Sequence, residues 1–352
     1  MEIKIVNKII GKNQPVFIVA ELGLNHNGSI NLAKKMILAA KRAGADAVKM
    51  QSFITEDFVG DKISTYTYKS RGQKETEVQY KMFKRCELNQ KEQKLLFDYA
   101  KKNDVILFSS PQDNSFKTVD YLCSREINMP AIKVGSDDLT NLPMLEYYAK
   151  MRKPMIISTG MASLSEVRSA VRVIKKAGNN KIIILKCTSL YPTSPQEANL
   201  NQIKTLQKVF SDCLVGFSDH TEGLSAAVVA TAMGAVLIEK HFTLNHNFAG
   251  PDHWFAADPK ELSVLVHQVR QAEKILGNSQ IVLSKEEKKI RDIARRSVIA
   301  ALAIKKGQKI TAKDLEIKRP GTGLPPEYLP RIAGKIAKKN YNQGYIFTKL
   351  DL

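Results

Sequence analysis

The chain has 352 residues, of which 43% are hydrophobic and 25% charged, and its formal net charge at pH 7 is +19. This length allows one large and one small domain, with enough apolar residues for a buried core. Apolar runs of about 18 residues are absent, and charges stand where a signal peptide needs an apolar segment, so we expect a cytoplasmic protein. The four cysteines form no C-x-x-C pair, which fits reduced thiols.

The positive charge could favour nucleic acid or an anionic small substrate. Lysines are spread over nearly every segment, which indicates a solvated, lysine-rich surface. The chain has no recognisable nucleic-acid-binding module, no interleaving of basic and aromatic residues and no zinc pattern. A basic nucleic-acid-binding protein is therefore a distant alternative.

Short apolar runs alternate with helix-like segments in the first part of the chain. The predicted strands span residues 17–21, 47–51, 105–110, 131–136, 155–160, 181–188, 214–220 and 235–241. Amphipathic spacing predicts a first helix with Ser29 as N-cap, and further helices fit residues 90–102, 164–177, 200–210, 223–233 and 259–276. This alternation predicts a (β/α)₈ TIM barrel over residues 1–276. A doubly wound sheet is the alternative, but no G-x-G-x-x-G follows the first strand and there is no P-loop.

Two segments depart from the alternation. Residues 52–88 form a long polar insert, predicted as an irregular loop that ends in a short helix, and a loop of this length usually serves a site. Residues 277–296 read as a charged linker. Residues 297–352 contain short strands, Lys-Gly turns and Pro-Gly clusters, which predict a separate small domain.

Two histidines stand at the carboxyl ends of successive predicted strands. His220 and His241 could together hold one metal ion, although either alone is more often a structural residue. Asp219 and Glu239 lie close by in sequence as possible partners for the second ring nitrogens. Two imidazoles without nearby cysteines leave positions open for water or substrate, which favours a catalytic divalent cation.

Polar residues end nearly every predicted strand, where a TIM barrel builds its active site. Lys49 and Lys133 are embedded in apolar strands, and a buried lysine needs an anionic partner. A bound phosphate group could be that partner, with serine hydroxyls as further donors. The alternative is an internal ion pair, Lys49 with Glu21 or Lys133 with Asp138.

Motifs along the whole chain resemble those of the bacterial sialic acid synthase family, which comprises N-acetylneuraminate synthase and related nonulosonate synthases. They are ELGLNHNG (21–28), VKMQSF (48–53), KVGSDD (133–138), STGM (158–161), KCTSLYPT (186–193), FSDHTEG (217–223), EKHFTL (239–244) and GPDH (250–253). The segment KRPGTG (318–323) resembles the family's C-terminal antifreeze-like, or SAF, domain. The resemblance implies a metal-dependent condensation of phosphoenolpyruvate with N-acetylmannosamine, which yields N-acetylneuraminate and phosphate by C–O cleavage.

The resemblance also implies a role for each matching residue. His220 and His241 would bind Mn²⁺ or Mg²⁺, and the partner subunit of a homodimer with swapped C-terminal domains would supply Arg319. Glu21, Lys49 and Lys133 are the other candidate catalytic residues, with Glu21 a candidate for proton transfer. Phosphoenolpyruvate would contact Lys49, Ser110, Lys133, Ser136, Ser158, Ser189, Ser218 and Glu239, and the amino sugar would contact Glu21, Gln51, Asp138, Tyr191 and Asp252.

Two departures from the family pattern bear on the acceptor sugar. Many relatives have Gly-Ser-Gly-Glu where this chain has Gly-Ser-Asp-Asp at 135–138, so Asp138 is a shorter carboxylate and Asp137 adds a charge. Ser189 stands where the N-acetylneuraminate enzyme has asparagine. A legionaminate- or pseudaminate-type synthase, acting on a diacetamido-trideoxyhexose, is therefore the alternative within the same chemistry.

Overall fold

A computed structural model describes residues 1–352 and divides the chain into two compact units, Met1–Gly277 and Asn278–Leu352. The strands are β1 (Glu2–Ile5), β2 (Lys8–Gly11), β3 (Phe17–Glu21), β4 (Ala47–Ser52), β5 (Thr65–Ser70), β6 (Gln73–Val78), β7 (Ile106–Pro111), β8 (Ile132–Val134), β9 (Met155–Ser158), β10 (Ile182–Cys187), β11 (Leu214–Asp219), β12 (Leu237–His241), β13 (Ser297–Ala300) and β14 (Leu315–Lys318). The helices are α1 (Ile30–Arg42), α2 (Thr55–Phe58), α3 (Gln79–Cys86), α4 (Gln90–Lys102), α5 (Lys117–Cys123), α6 (Leu142–Lys150), α7 (Leu164–Lys176), α8 (Gln202–Val209), α9 (Ser225–Ala232), α10 (Pro259–Leu276), α11 (Lys285–Ala294) and α12 (Leu329–Ile332).

The first unit is a closed parallel barrel in the order β3-β4-β7-β8-β9-β10-β11-β12, and β12 pairs with β3. This confirms the predicted TIM barrel. The register places Glu21 beside both Lys49 and His241, so three predicted site residues stand at one level of the barrel. Side chains on both faces of the strands are buried, which explains their nearly continuous apolar character.

Helix boundaries follow the capping signals of the sequence. Ser29 accepts a hydrogen bond from the backbone of Leu32 at the start of α1, as predicted. Capping boxes begin α4, α7 and α10. The sequence analysis did not predict α5, α6 or the β1–β2 hairpin. Both helices are short, and α5 follows Phe116, whose φ of 59° breaks the regular pattern.

The insert at residues 52–88 is ordered, so its prediction as an irregular loop was wrong, whereas its terminal helix is confirmed as α3. Strands β5 and β6 form an antiparallel hairpin. Arg71 and Gly72 connect them with φ angles of 51° and 79°, the positive values of a two-residue turn that matches strand twist. The insert also has its own apolar cluster, centred on Phe53, Tyr68 and Met82.

The second unit contains α11, the antiparallel pair β13–β14 and a compact apolar core. Val298, Tyr341 and Phe347 are among the buried residues of that core. Helix α11 lies in the segment predicted as a linker, and none of its side chains is buried. None of the helices in the chain combines the length and the apolar character that crossing a bilayer requires.

Candidate active site

The carboxyl ends of the barrel strands surround a cavity of about 420 Å³. Every residue predicted for the site lines it except Asp138 and Arg319. The lining therefore includes Glu21, Lys49, Gln51, Ser110, Lys133, Ser136, Ser158, Ser189, Tyr191, Ser218, His220, Glu239, His241 and Asp252. These side chains come from seven barrel strands and the loops that follow the strands, and strand pairing fixes their relative heights.

Four buried charges form a continuous chain across the floor of this cavity. Lys49 Nζ lies 2.8 Å from Glu21 Oε2 and 3.8 Å from Glu239 Oε2, and Lys133 Nζ lies 3.7 Å from Glu239 Oε1. The Lys49–Glu21 pair is thus present, whereas Lys133 pairs with Glu239 and not with Asp138. The predicted internal pairing and an anion site are compatible, because two lysines share two carboxylates without closing off the cavity.

Hydroxyl groups contact both lysines. Lys133 Nζ donates to Ser158 Oγ at 2.7 Å, and Lys49 Nζ donates to Ser110 Oγ at 3.2 Å. Burial lowers the pKa of Lys133, although Glu239 opposes the shift, so an added anion would stabilise its charged form. Serines and lysines at one end of the cavity therefore suit a phosphate or carboxylate group.

Glu21 is incompletely satisfied. Neither carboxylate oxygen accepts a hydrogen bond of good geometry, although both are buried. Burial raises the pKa of Glu21 to about 7, even though Lys49 acts in the opposite direction. A carboxyl group that titrates near neutrality can both accept and return a proton, which fits the role predicted for this residue.

The two histidines lie side by side, with ring centroids 5.3 Å apart. His220 Nδ1 donates to the carbonyl oxygen of Thr188 at 2.8 Å, which leaves its Nε2 lone pair free. His241 Nδ1 is buried without a hydrogen-bond partner, 3.7 Å from Asp252 Oδ2. Burial raises the pKa of Asp252 to about 6.

These groups fit a divalent cation. A Cβ atom at Gly23 would lie 3.4 Å from each of three site atoms, Asp252 Oδ2, Glu21 Oε1 and His241 Cε1, so two carboxylates and one imidazole border the same small space. Carboxylate oxygens suit Mn²⁺ or Mg²⁺, and two imidazoles add nitrogen donors. The Cys187 thiol also lines the cavity, 3.8 Å from His220 Nδ1, so the expectation of no cysteine near the imidazoles was wrong. His220 and His241 would hold the ion, with Glu21 and Asp252 beside it.

The predicted carboxylate partners of the imidazoles were wrong. Asp219 points away from the cavity and pairs with Lys240 at 2.9 Å, because successive residues of β11 face opposite sides. Glu239 accepts from Ser218 Oγ and pairs with the lysines instead. A backbone carbonyl, that of Thr188, is the partner of His220.

Two predicted residues lie elsewhere. The Asp138 side chain does not line the cavity. Burial and the neighbouring charge of Asp137 raise the pKa of Asp138 to about 7. Arg319 belongs to the second unit, so its role stays a prediction.

Several cavity residues were not predicted from the sequence. The insert contributes Tyr66, Gln79, Met82 and Phe83, and its unusual length was the only signal for them. Gln112 and Asp137 also line the cavity. They follow strands β7 and β8 closely, so their position just past a strand end was a usable signal, and Asp137 had been noted only as an added charge.

A second group of possible metal ligands lies outside the cavity. His246 Nε2 is 3.1 Å from Glu261 and 3.8 Å from Asp258. The two carboxylates already form the capping box at the start of α10. The group is partly exposed, and helix capping accounts for its acidic residues.

Comparison with known proteins identifies the family of the chain. The model of the NeuB family matches residues 36–281, and that of the SAF domain matches residues 295–352. The chain belongs to the NeuB family. An uncharacterized protein of Methanocaldococcus jannaschii is 42% identical over 351 residues, covering 100% of this chain and 98% of that protein.

The chain is also similar to two named synthases. The N,N'-diacetyllegionaminic acid synthase of Campylobacter jejuni subsp. jejuni serotype O:2 is 40% identical over 93% of this chain and 97% of its own. The crystal structure of N-acetylneuraminic acid synthetase from Leptospira borgpetersenii serovar Hardjo-bovis, in complex with citrate, superposes with a TM-score of 0.72. That protein is 35% identical, and the match covers 82% of this chain and 95% of the other.

This NeuB protein is therefore a phosphoenolpyruvate-dependent enzyme of the nonulosonate synthase family. Enzymes of the family bind phosphoenolpyruvate and an amino sugar, and they generally depend on a metal ion. Its homologues include sialic, legionaminic and pseudaminic acid synthases.

Proposed function

We propose that this enzyme condenses phosphoenolpyruvate with an N-acetylated amino hexose to form a nonulosonate and inorganic phosphate. N-acetylmannosamine, which would give N-acetylneuraminate, is the acceptor predicted from the sequence. The proposal rests on one observation: a single cavity holds a cluster of lysines and serines and, beside it, a pair of histidines. The lysines and serines suit the phosphate and carboxylate of phosphoenolpyruvate. The histidines face the remaining space, where an aldehyde would lie.

In the proposed reaction, carbon 3 of phosphoenolpyruvate attacks the aldehyde carbon of the open-chain sugar and forms the new C–C bond. Carbon 2 gains oxocarbenium character, water adds there, and the tetrahedral product loses phosphate by C–O cleavage. A divalent cation on His220 and His241 would supply Lewis acidity for the aldehyde oxygen. Lys49 and Lys133 hold the enolpyruvyl anion, and Glu21 takes the proton released by the attacking water.

A second acceptor is supported by a specific observation. Leu24, Met82 and Phe83 give one side of the cavity an apolar wall. A 2,4-diacetamido-2,4,6-trideoxyhexose presents two acetamido methyl groups and a C6 methyl group to such a wall, whereas N-acetylmannosamine presents one acetamido methyl group. The 40% identity to a diacetyllegionaminic acid synthase agrees with this candidate.

Phosphate release tests the proposal directly. The purified enzyme, loaded with Mn²⁺, is given phosphoenolpyruvate with N-acetylmannosamine, with its 6-phosphate, or with 2,4-diacetamido-2,4,6-trideoxyhexoses. We expect acceptor-dependent phosphate release with at least one uncharged sugar. Oxygen-18 in the bridging position should leave with phosphate, and retention of the label in the keto acid would contradict C–O cleavage.

We further propose that the enzyme acts as a homodimer with exchanged C-terminal domains, in which Arg319 completes the partner's sugar site. Large apolar side chains are exposed in the second unit, at Ile281, Val282, Ile290 and Ile293, which supports a covering protein surface there. Co-expression of His220→Ala and Arg319→Ala chains tests this arrangement. Mixed dimers would each carry one intact site and restore roughly a quarter of wild-type activity. Activity no higher than the sum of the two variants would contradict the exchange.

A further inference from the structure

Two neighbouring carboxylates follow β8, and they differ in direction. Asp137 is exposed and lines the cavity. Asp138 is partly buried, does not line the cavity, and has one carboxylate oxygen, Oδ2, without any hydrogen-bond partner. Asp138, to which the resemblance gives the sugar contact, is therefore withdrawn from the cavity surface, and Asp137 beside it is exposed there.

Local packing holds Asp137 in this position. Gln112 Nε2 donates to Asp137 Oδ2 at 3.2 Å, and Gln112 is itself 5% exposed. A Cβ atom at Gly135 would lie 2.2 Å from Asp137 Oδ1, so the carboxylate occupies space that only a glycine at that position leaves free. Gln112 and Gly135 together therefore let the Asp137 side chain lie toward the cavity.

The charges around Asp137 define what it can bind. Lys49 and Lys133 are the only cationic lysine or arginine side chains that line the cavity of the first unit, and both already pair with Glu21 or Glu239. Gln112, Tyr66 and Tyr191 line the same cavity and are neutral. Asp137 forms no ion pair, and its one side-chain hydrogen bond is the one from Gln112. A ligand there must offer hydroxyl or amide N–H donors, and a phosphate dianion would meet a like charge.

We propose that Asp137, and not Asp138, is the carboxylate that receives the acceptor sugar, and that it favours an uncharged amino sugar over the corresponding 6-phosphate. This inference rests on the proposed condensation with phosphoenolpyruvate. It makes Asp137 a specificity-determining residue that accepts hydrogen bonds from a sugar hydroxyl or acetamido N–H.

The test compares Asp137→Asn and Asp137→Gly with Asp138→Asn, the same change one residue further along. Initial rates are measured with N-acetylmannosamine, its 6-phosphate and the diacetamido-trideoxyhexoses at saturating phosphoenolpyruvate, and then with phosphoenolpyruvate varied. Hydrogen bonds to a charged group contribute about 1.5–3 kcal/mol, so Asp137→Asn should lower kcat/KM for the preferred sugar roughly 10- to 150-fold. The KM for phosphoenolpyruvate should change little, and the preference for uncharged over phosphorylated sugar should shrink.

The outcomes separate the inference from the function beneath it. If the wild type is active and the KM for the acceptor sugar rises in Asp138→Asn but not in Asp137→Asn, the inference alone is overturned. The inference is also overturned if Asp137→Asn changes the KM for phosphoenolpyruvate and not that for the sugar. It is overturned as well if the variant discriminates against the 6-phosphate as strongly as the wild type does. A wild type that releases no phosphate with any of the sugars would overturn the proposed function as well. Thermal unfolding of each variant shows whether a lost rate reflects lost folding.

Discussion

The inner and outer faces of the barrel rim carry similar ion pairs with different consequences. Lys49–Glu21 faces the cavity with an N–O distance of 2.8 Å, and Lys240–Asp219 faces away from the cavity at 2.9 Å. All four side chains are buried. Burial and pairing alone therefore do not distinguish a reactive pair from a structural one.

Hydrogen bonding distinguishes the two pairs. Asp219 also accepts from the backbone N–H of Thr221 at 2.8 Å and from its hydroxyl at 2.7 Å, so its charge is well solvated by protein. Glu21 has no such donors, and its pKa is raised by burial to about 7. The inner pair retains capacity for a ligand and the outer pair does not, which favours chemistry at the inner face and a stabilising role at the outer face.

The largest expected effect lies with the inner-face histidines. His220→Ala and His241→Ala should each reduce acceptor-dependent phosphate release below detection and weaken Mn²⁺ binding measured by calorimetry. His267→Ala is the matched control, because His267 is exposed on α10 and lies outside the cavity. Chelator should abolish wild-type activity, and Mn²⁺ or Mg²⁺ should restore it. Full activity in exhaustively metal-free protein would contradict the prediction.

The inner lysines come next. Lys49→Met and Lys133→Met keep the apolar part of the side chain but remove a fixed positive charge, so kcat/KM for phosphoenolpyruvate should fall about 10²- to 10³-fold. Lys186→Met is the control, since Lys186 is buried on β10 but does not line the cavity. Unchanged kinetic constants in the first two variants would mean that both lysines are structural.

The outer pair should affect stability more than rate. Lys240→Met leaves Asp219 buried without its counter-ion, which typically costs about 3–5 kcal/mol, and the barrel should unfold at lower urea concentration. The double variant Asp219→Leu, Lys240→Met should recover part of that loss because no buried charge remains. A Lys240→Met protein with wild-type stability and the rate defect of Lys49→Met would erase the distinction between the two faces.

The site residues that lie on barrel strands were predictable, because the sequence shows where each apolar strand ends. Lys49, Lys133, His220 and His241 stand at or near the ends of apolar runs, and parallel strands in a barrel bring such ends together. The direction of each side chain along a strand follows from its alternation. The prediction for Asp219 was wrong, because a residue adjacent to His220 in sequence lies on the opposite face of the strand.

The site residues and contacts in the loops were not predictable in this way. The Arg71-Gly72 turn could have revealed the hairpin, since alternating Thr and Tyr residues precede it. Contacts between loops distant in sequence had no local signal. Gly28 is an example, because a Cβ atom there would lie 2.2 Å from the carbonyl oxygen of Arg85. Only the folded chain shows which loops meet.

His253 shows how one such loop contact fixes a proton. Its ring is fully buried, with Nδ1 2.7 Å from Thr243 Oγ1 and Nε2 3.3 Å from Asn27 Nδ2. The hydroxyl group of Thr243 donates its proton to the carbonyl oxygen of Asn245, so its oxygen accepts a hydrogen bond from Nδ1–H of His253. Nε2 is then the acceptor for the Asn27 amide. The network holds a neutral imidazole next to Asp252 in sequence.

The smallest expected effect is a change in the pH dependence of stability. Burial lowers the pKa of His253 to about 4, so the folded state binds this proton more weakly than the unfolded state does. Stability is therefore complete above about pH 6.5 and is lost as pH falls from there towards 4, by at most about 1.4 kcal/mol per pH unit for one histidine. His253→Gln should flatten the urea-unfolding free energy in this window, while the exposed His267→Gln should not. Equal slopes in wild type and His253→Gln would mean that the ring accepts a proton in the folded loop, and the hydrogen-bond assignment above would then be wrong.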